Sequence, residues 1–153
     1  MIDKIDSITS DKDIIAVKNV TLSEDIFVDH FIGYPVLPGA LLIECLAQAG
    51  TALLEYSSGF KKKALLVIVE QAKFRSEVKP GDQLMLYKKV LSLSNSAAQL
   101  SGEIKVNNKC VMNAIMTYTL NPVGKYYPAK TRYLMETVYD IWLKDAQIIE
   151  NRE

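Results

Sequence analysis

The sequence predicts an α+β domain in which a curved antiparallel sheet wraps one long central helix. Three observations lead there: one long helix candidate that is apolar on most of its circumference, four strand-like segments after it joined by turn chemistry, and one strand-like segment before it. A chain of 153 residues is long enough for one domain with a real core and short for two.

Asp13 to Val20 (DIIAVKNV) has the β-branched content of a strand. Ala40 to Tyr56 then reads as a helix whose polar positions, Glu44, Gln48, Thr51 and Glu55, are spaced by four, three and four on a single stripe. A helix apolar on all other sides must be buried on most of them, yet at about seventeen residues with two glutamates it is short for a membrane span.

The wrapping material follows as LLVIVEQAKF (65–74), DQLMLYKKVLSL (82–93), AAQLSGEIKV (97–106) and CVMNAIMTYTL (110–120). Pro80-Gly81 suits the centre of a type II turn, Asn95 sits in a short polar break, and Asn107-Asn108 suits a tight hairpin whose residues tolerate positive φ. Four short-linked strands in succession predict an antiparallel meander.

After Pro122 and Gly124, the residues Met135, Tyr139, Trp142, Ala146 and Ile149 recur at helical spacing, a packing face against the domain or a second subunit. An interfacial membrane helix is the alternative, but from Asn121 to Glu153 five basic residues meet five acidic ones, where such helices carry a basic polar face. The chain therefore divides into a domain over 1–122 and a C-terminal helical extension over 123–153.

Composition narrows the function classes. Hydrophobic residues at 49%, charged residues at 24% and a formal net charge of zero fit a soluble globular protein and argue against wholesale nucleic-acid binding. The first fifteen residues, MIDKIDSITSDKDII, have no apolar h-region and do not read as a secretory signal. Cys45 and Cys110 read as small buried thiols, since two cysteines and one histidine make a poor metal-ligand set. The cytoplasm is the default compartment.

The chemistry gathers around the only histidine. His30 opens a Gly/Pro-rich loop, Pro38-Gly39 closes it, and Glu44 follows one turn inside the helix. Gly39 lets backbone approach a ligand, and free amides at a helix start donate to an oxygen that gains negative charge. An imidazole that takes a proton near neutral pH, a carboxyl group that delivers one and a polarised carbonyl are the parts needed for β-elimination of water beside a thioester. Each residue alone also has a structural reading: a loop histidine that is merely exposed, and a glutamate that opens the helix's polar stripe.

The run HFIGYPVLPGALLIECLAQAG resembles the signature HFPGxPxxPGxxxxEAxAQ of the 3-hydroxyacyl-(acyl-carrier-protein) dehydratases of bacterial fatty acid synthesis, which have the hotdog fold. QAKFRSEVKPGDQL (71–84) is similar to the family's segment leading into its Pro-Gly-Asp turn, and IDSITSDKDIIAVKNVT resembles its opening strands, so the likeness covers roughly residues 1 to 120. The resemblance implies that His30 and Glu44, fourteen residues apart, are the catalytic pair. It implies that the Gly39 amide contacts the thioester carbonyl and that Gln48 belongs to the substrate site. It further implies a site at a dimer interface, with His30 from one subunit and Glu44 from the other, a trimer of dimers as the larger assembly, and no metal or redox cofactor.

Three departures bear on substrate range. The family's proline after HF is Ile32, which releases a fixed φ and is expected to loosen the loop. Tyr34 replaces a small polar residue and is expected to narrow the site, and only the end of the family's N-terminal PHRxPFLLVD element aligns, with Met1 to Ile5.

The family docks acidic carrier proteins beside its active-site mouth. Lys61, Lys62, Lys63, Lys73, Arg75 and Lys79, against Glu70 and Glu77, leave a local excess of four positive charges, the candidate contact for acyl carrier protein bearing the substrate on phosphopantetheine. Two rival functions share the fold: a hotdog thioesterase, and a noncatalytic acyl-thioester binder or partner subunit.

Overall fold

The computed structural model describes residues 1–149. Nine regular elements follow in chain order: β1 (Lys4–Thr9), β2 (Asp13–Asn19), α1 (Gly39–Ser57), β3 (Lys62–Phe74), β4 (Gln83–Leu93), β5 (Ala97–Val106), β6 (Lys109–Pro122), α2 (Arg132–Leu143) and β7 (Gln147–Ile149). The strands form one sheet in the order β3-β6-β5-β4-β2-β1-β7, antiparallel throughout except where β7 runs parallel to β1.

Period-two alternation puts one side of each strand against α1. Leu84 and Leu86 of β4, Leu100 and Ile104 of β5, and Met112, Ala114, Met116 and Tyr118 of β6 are buried, and they meet Cys45, Leu46, Ala49, Ala52 and Leu53 of the helix. The central helix is therefore enclosed by sheet, as its apolar circumference requires. Cys45 is buried, Cys110 half-buried, and both are free thiols.

The turns match their residues. Asp82 N donates to Lys79 O at 3.1 Å across Pro80-Gly81, with Gly81 at φ +96°, and Asn107 and Asn108 sit at φ +49° and +64° between β5 and β6.

Two expectations need correction. Strands β4, β5 and β6 do form a meander, but β3 does not neighbour β4. It pairs with β6 on the far side, because its long link through Val78 to Asp82 carries the chain to β2, which β4 joins from Asp13↔Lys89 to Asn19↔Gln83. The tail is not one helix either: α2 ends at Leu143, so Met135 and Tyr139 are buried as a packing face, whereas Ile149 lies in β7 opposite Thr9. The extension packs on its own domain, through β1 and through Arg132 Nη2, which donates to Phe60 O at 3.0 Å.

Candidate functional site

His30 lies half-buried on the loop before α1, its ring stacked on Phe31 with centroids 4.3 Å apart. The loop is closed by its own main chain: Val36 N donates to His30 O at 3.0 Å, and Phe31 and Tyr34 exchange two bonds at 3.0 and 2.9 Å. Leu37 N donates to Val78 O at 2.8 Å and ties the loop to the β3–β4 link. Ile32, where the family has proline, is 89% exposed at the tip of this turn, whose ends are bonded together.

Tyr34 turns toward the same link. Its hydroxyl donates to Glu77 Oε2 at 2.7 Å and accepts from Lys79 Nζ at 2.7 Å. That hydrogen bond, with Lys79 beside it, holds the Glu77 carboxyl below the usual carboxylate range.

Gly39 is the first residue of α1, so its amide precedes the helical bonds that begin with Leu41 and Leu42 donating to Pro38 O. A Cβ there would come within 2.9 Å of the Phe74 ring, so glycine lets that ring lie directly against the helix start. One turn on, Glu44 is exposed and Gln48 half-buried, and Gln48 Nε2 donates to Glu44 Oε1 at 2.9 Å while its own Oε1 is buried without a partner. The structure thus joins Glu44 to Gln48 and sets Gly39 five residues before Glu44 on the same helix. Among the described residues no hydrogen bond or ion pair joins His30 to Glu44 within one chain.

The six basic residues do not form one patch. Lys62 and Lys73 stand at opposite ends of β3, roughly 35 Å apart at the rise of an extended strand. Lys61, Lys62 and Lys63 lie beyond the C-terminal end of α1, where Lys62 binds the Asn95 carbonyl and side chain and Lys63 pairs with Glu55 at 2.7 Å. Lys73, Arg75 and Lys79 lie toward the His30 loop, with Phe74 against Gly39 and Lys79 on Tyr34. A cavity of about 990 Å³ is lined mostly by side chains of the sheet face turned away from α1 and includes none of His30, Gly39, Glu44 and Gln48.

Two groups escape a sequence reading. Glu55, the last member of the polar stripe, is only 1% exposed: its Oε1 accepts from Lys63 Nζ and the Ala64 amide, and its Oε2 accepts from the Tyr139 hydroxyl at 2.7 Å. Burial first, then Glu55, raises the Tyr139 phenol well above its ordinary range, so it stays a donor.

Lys88 is 2% exposed under α1, with its Nζ 5.3 Å from the Tyr118 ring centroid and no hydrogen-bond partner. Gly50 and Gly102 make room for it; a Cβ on Gly102 would stand 2.7 Å from Lys88 Cδ. Burial pushes its ammonium down to about 7. The alternation Leu84, Leu86, Lys88 along β4 was the signal that an amine faces the core.

Comparison with known proteins adds a family to this geometry. A family profile described as a FabA-like domain matches residues 1–115. The 3-hydroxyacyl-(acyl-carrier-protein) dehydratase FabZ of Koribacter versatilis is 40% identical over 124 residues, 80% of each chain. That of Enterococcus faecalis is 41% identical over 121 residues, 78% of this chain and 86% of its own. Among solved structures, a hypothetical thioesterase of Streptococcus pneumoniae with coenzyme A superposes with a TM-score of 0.62 at 14% identity, covering 78% of this chain and 85% of that one. At that identity the likeness shows the fold, which is the hotdog.

Proposed function

This chain belongs to the FabA-like family of 3-hydroxyacyl-(acyl-carrier-protein) dehydratases, and from that premise we propose how it removes water from 3-hydroxyacyl chains on acyl carrier protein. The product is the trans-2-enoyl thioester of fatty acid or related acyl-chain synthesis. The observation that carries the reading is the helix start: a free Gly39 amide, and one turn later the Glu44 carboxyl group held by Gln48 with its other oxygen open.

His30 takes the C2 proton, and the electron pair moves toward the thioester carbonyl, whose oxygen gains charge against the Gly39 amide. The pair then returns to form the C2–C3 double bond as the C3–O bond breaks, and Glu44 protonates the leaving hydroxyl. One water departs. Gln48 keeps the Glu44 carboxyl aimed, a positioning role that its 2.9 Å bond supports. No step calls on a metal or redox cofactor.

His30 and Glu44 meet across a homodimer, and the sheet offers the surface for it. Strand β3 ends the sheet with one edge unpaired, and Val67, Ile68 and Val69 along it are 52%, 52% and 38% exposed, an apolar edge that a second copy would cover. Pairing there is the route by which His30 faces Glu44 of the partner subunit; a trimer of such dimers is the larger assembly. Acyl carrier protein docks at Lys73, Arg75 and Lys79, the basic residues beside the loop. No helix among the described residues is long and apolar enough to cross a membrane. The compartment we propose is the cytoplasm, on the strength of the carrier-protein substrate in the relatives' names.

The test follows water loss by intact mass from 3-hydroxyacyl chains on carrier protein. Wild type is expected to dehydrate them, and His30→Ala and Glu44→Gln to leave them hydroxylated. Release of free carrier would install the thioesterase reading instead, and binding without turnover the noncatalytic one. Reversing Lys73, Arg75 and Lys79 to glutamate should raise KM for carrier-bound substrate while sparing a short pantetheine thioester; equal loss on both removes the docking site.

A further inference from the structure

The polar stripe of α1 does not stop at Gln48. Past it come Thr51 and Glu55, and a cavity of about 290 Å³ is lined by Gln48, Thr51 and Glu55 of α1 and by Val138 and Trp142 of α2. Its buried carboxylate is already satisfied, because Glu55 is shared by Lys63, Tyr139 and the Ala64 amide. What the cavity leaves for a ligand is largely apolar: Leu134 and Val138 line it and are 53% and 41% exposed, although Met135 and Tyr139 on the same helix are buried. Gln48, which also lines it, bonds Glu44 and leaves its own Oε1 buried and unpartnered.

Resting on the dehydratase reading, we propose that α2 forms the far wall of the acyl compartment: the distal methylenes of the substrate run past Gln48 into the cavity between Thr51, Val138 and Trp142, and this helix sets the chain length that is accepted. Three features point to an acyl chain as the occupant. The cavity adjoins the residue that holds the catalytic acid, its unfilled wall is aliphatic and aromatic, and its volume lies at the bottom of the small-molecule range, room for the end of a chain but not for a whole thioester. Helix α2 lies beyond the stretch matched by the family, so the wall is an addition to the shared fold.

Trp142 is the only tryptophan in the chain, which makes the cavity directly readable. 3-Hydroxyacyl pantetheine thioesters of increasing length, brominated at the chain end, would be titrated while tryptophan emission is followed. Emission should be quenched only beyond a threshold length, with affinity rising about fourfold per added methylene, the equivalent of about 0.8 kcal/mol each, until the cavity is full. Val138→Phe should lower kcat/KM for the longest chains about tenfold more than for the shortest.

Dehydration without quenching at any length overturns the inference and leaves the dehydratase reading standing. Quenching without dehydration keeps the acyl wall and removes the dehydratase. Absence of both removes both. If Val138→Phe instead breaks the oligomer in sedimentation and leaves the length profile flat, the cavity is filled by a second copy and the inference is wrong.

Discussion

At one end of the α1 stripe Glu44 is exposed and bonded to Gln48 alone; eleven residues on, Glu55 is 1% exposed and gathers a lysine, a tyrosine and a backbone amide. The residue type and the helix face are the same. What differs is the neighbour: Lys63 and α2 cover the Glu55 end, and no described residue except Gln48 bonds Glu44. A carboxyl group with both oxygens engaged holds structure together, whereas one with an open oxygen can carry a proton there and give it to a leaving group.

The comparison is sharpest when each glutamate is removed. Glu55→Ala strands the Lys63 ammonium and the Tyr139 hydroxyl and should cost about 3–5 kcal/mol in urea unfolding. Retained stability would mean that α2 docks without its carboxylate. Glu44→Gln should leave unfolding unchanged and slow dehydration about 10³-fold, within the usual reach of general acid catalysis. The two variants should thus fail different assays.

Lys88 supplies a smaller effect of opposite sign. With its folded value at about 7 and its unfolded value at 10.5, the unfolded chain binds the extra proton between those limits. Stability should therefore rise with pH from about 7 to 10.5, and below 7 the full cost of burying the ammonium is present. Lys88→Met should stabilise the protein by on the order of 3 kcal/mol near pH 7, fading toward pH 10, which urea titrations at several pH values would show. A flat difference across pH would mean the amine has a partner in the assembled protein. Smallest of all, Gln48→Ala should cost about 1 kcal/mol of barrier, roughly fivefold in turnover with KM little changed, since one neutral hydrogen bond is at stake.

The open end of the stripe was legible in the sequence and the closed end was not. Spacing alone placed Glu44, Gln48 and Glu55 on one face, and the His30 to Gln48 motif named the chemistry, because these are local facts of one loop and one helix. Glu55 needs Tyr139, 84 residues away, and no periodicity announces that pairing. Tertiary geometry also split the basic residues, since an extended strand carries Lys62 away from Lys73. It sent β3 to β6 instead of β4, and it ended α2 early so that Gln147 to Ile149 could join β1. Lys88 is a different case: its inward position could be counted off the strand, but only the fold shows that nothing meets its ammonium.

The central claim is that Glu44 is the acid and Glu55 is not. It is tested most directly by following water loss from a 3-hydroxyacyl chain on acyl carrier protein, by intact mass, with wild type, Glu44→Gln and Glu55→Gln at a temperature where all three are folded. We expect wild type and folded Glu55→Gln to yield the enoyl product and Glu44→Gln to leave the chain hydroxylated. Dehydration by Glu44→Gln at the wild-type rate would contradict the assignment.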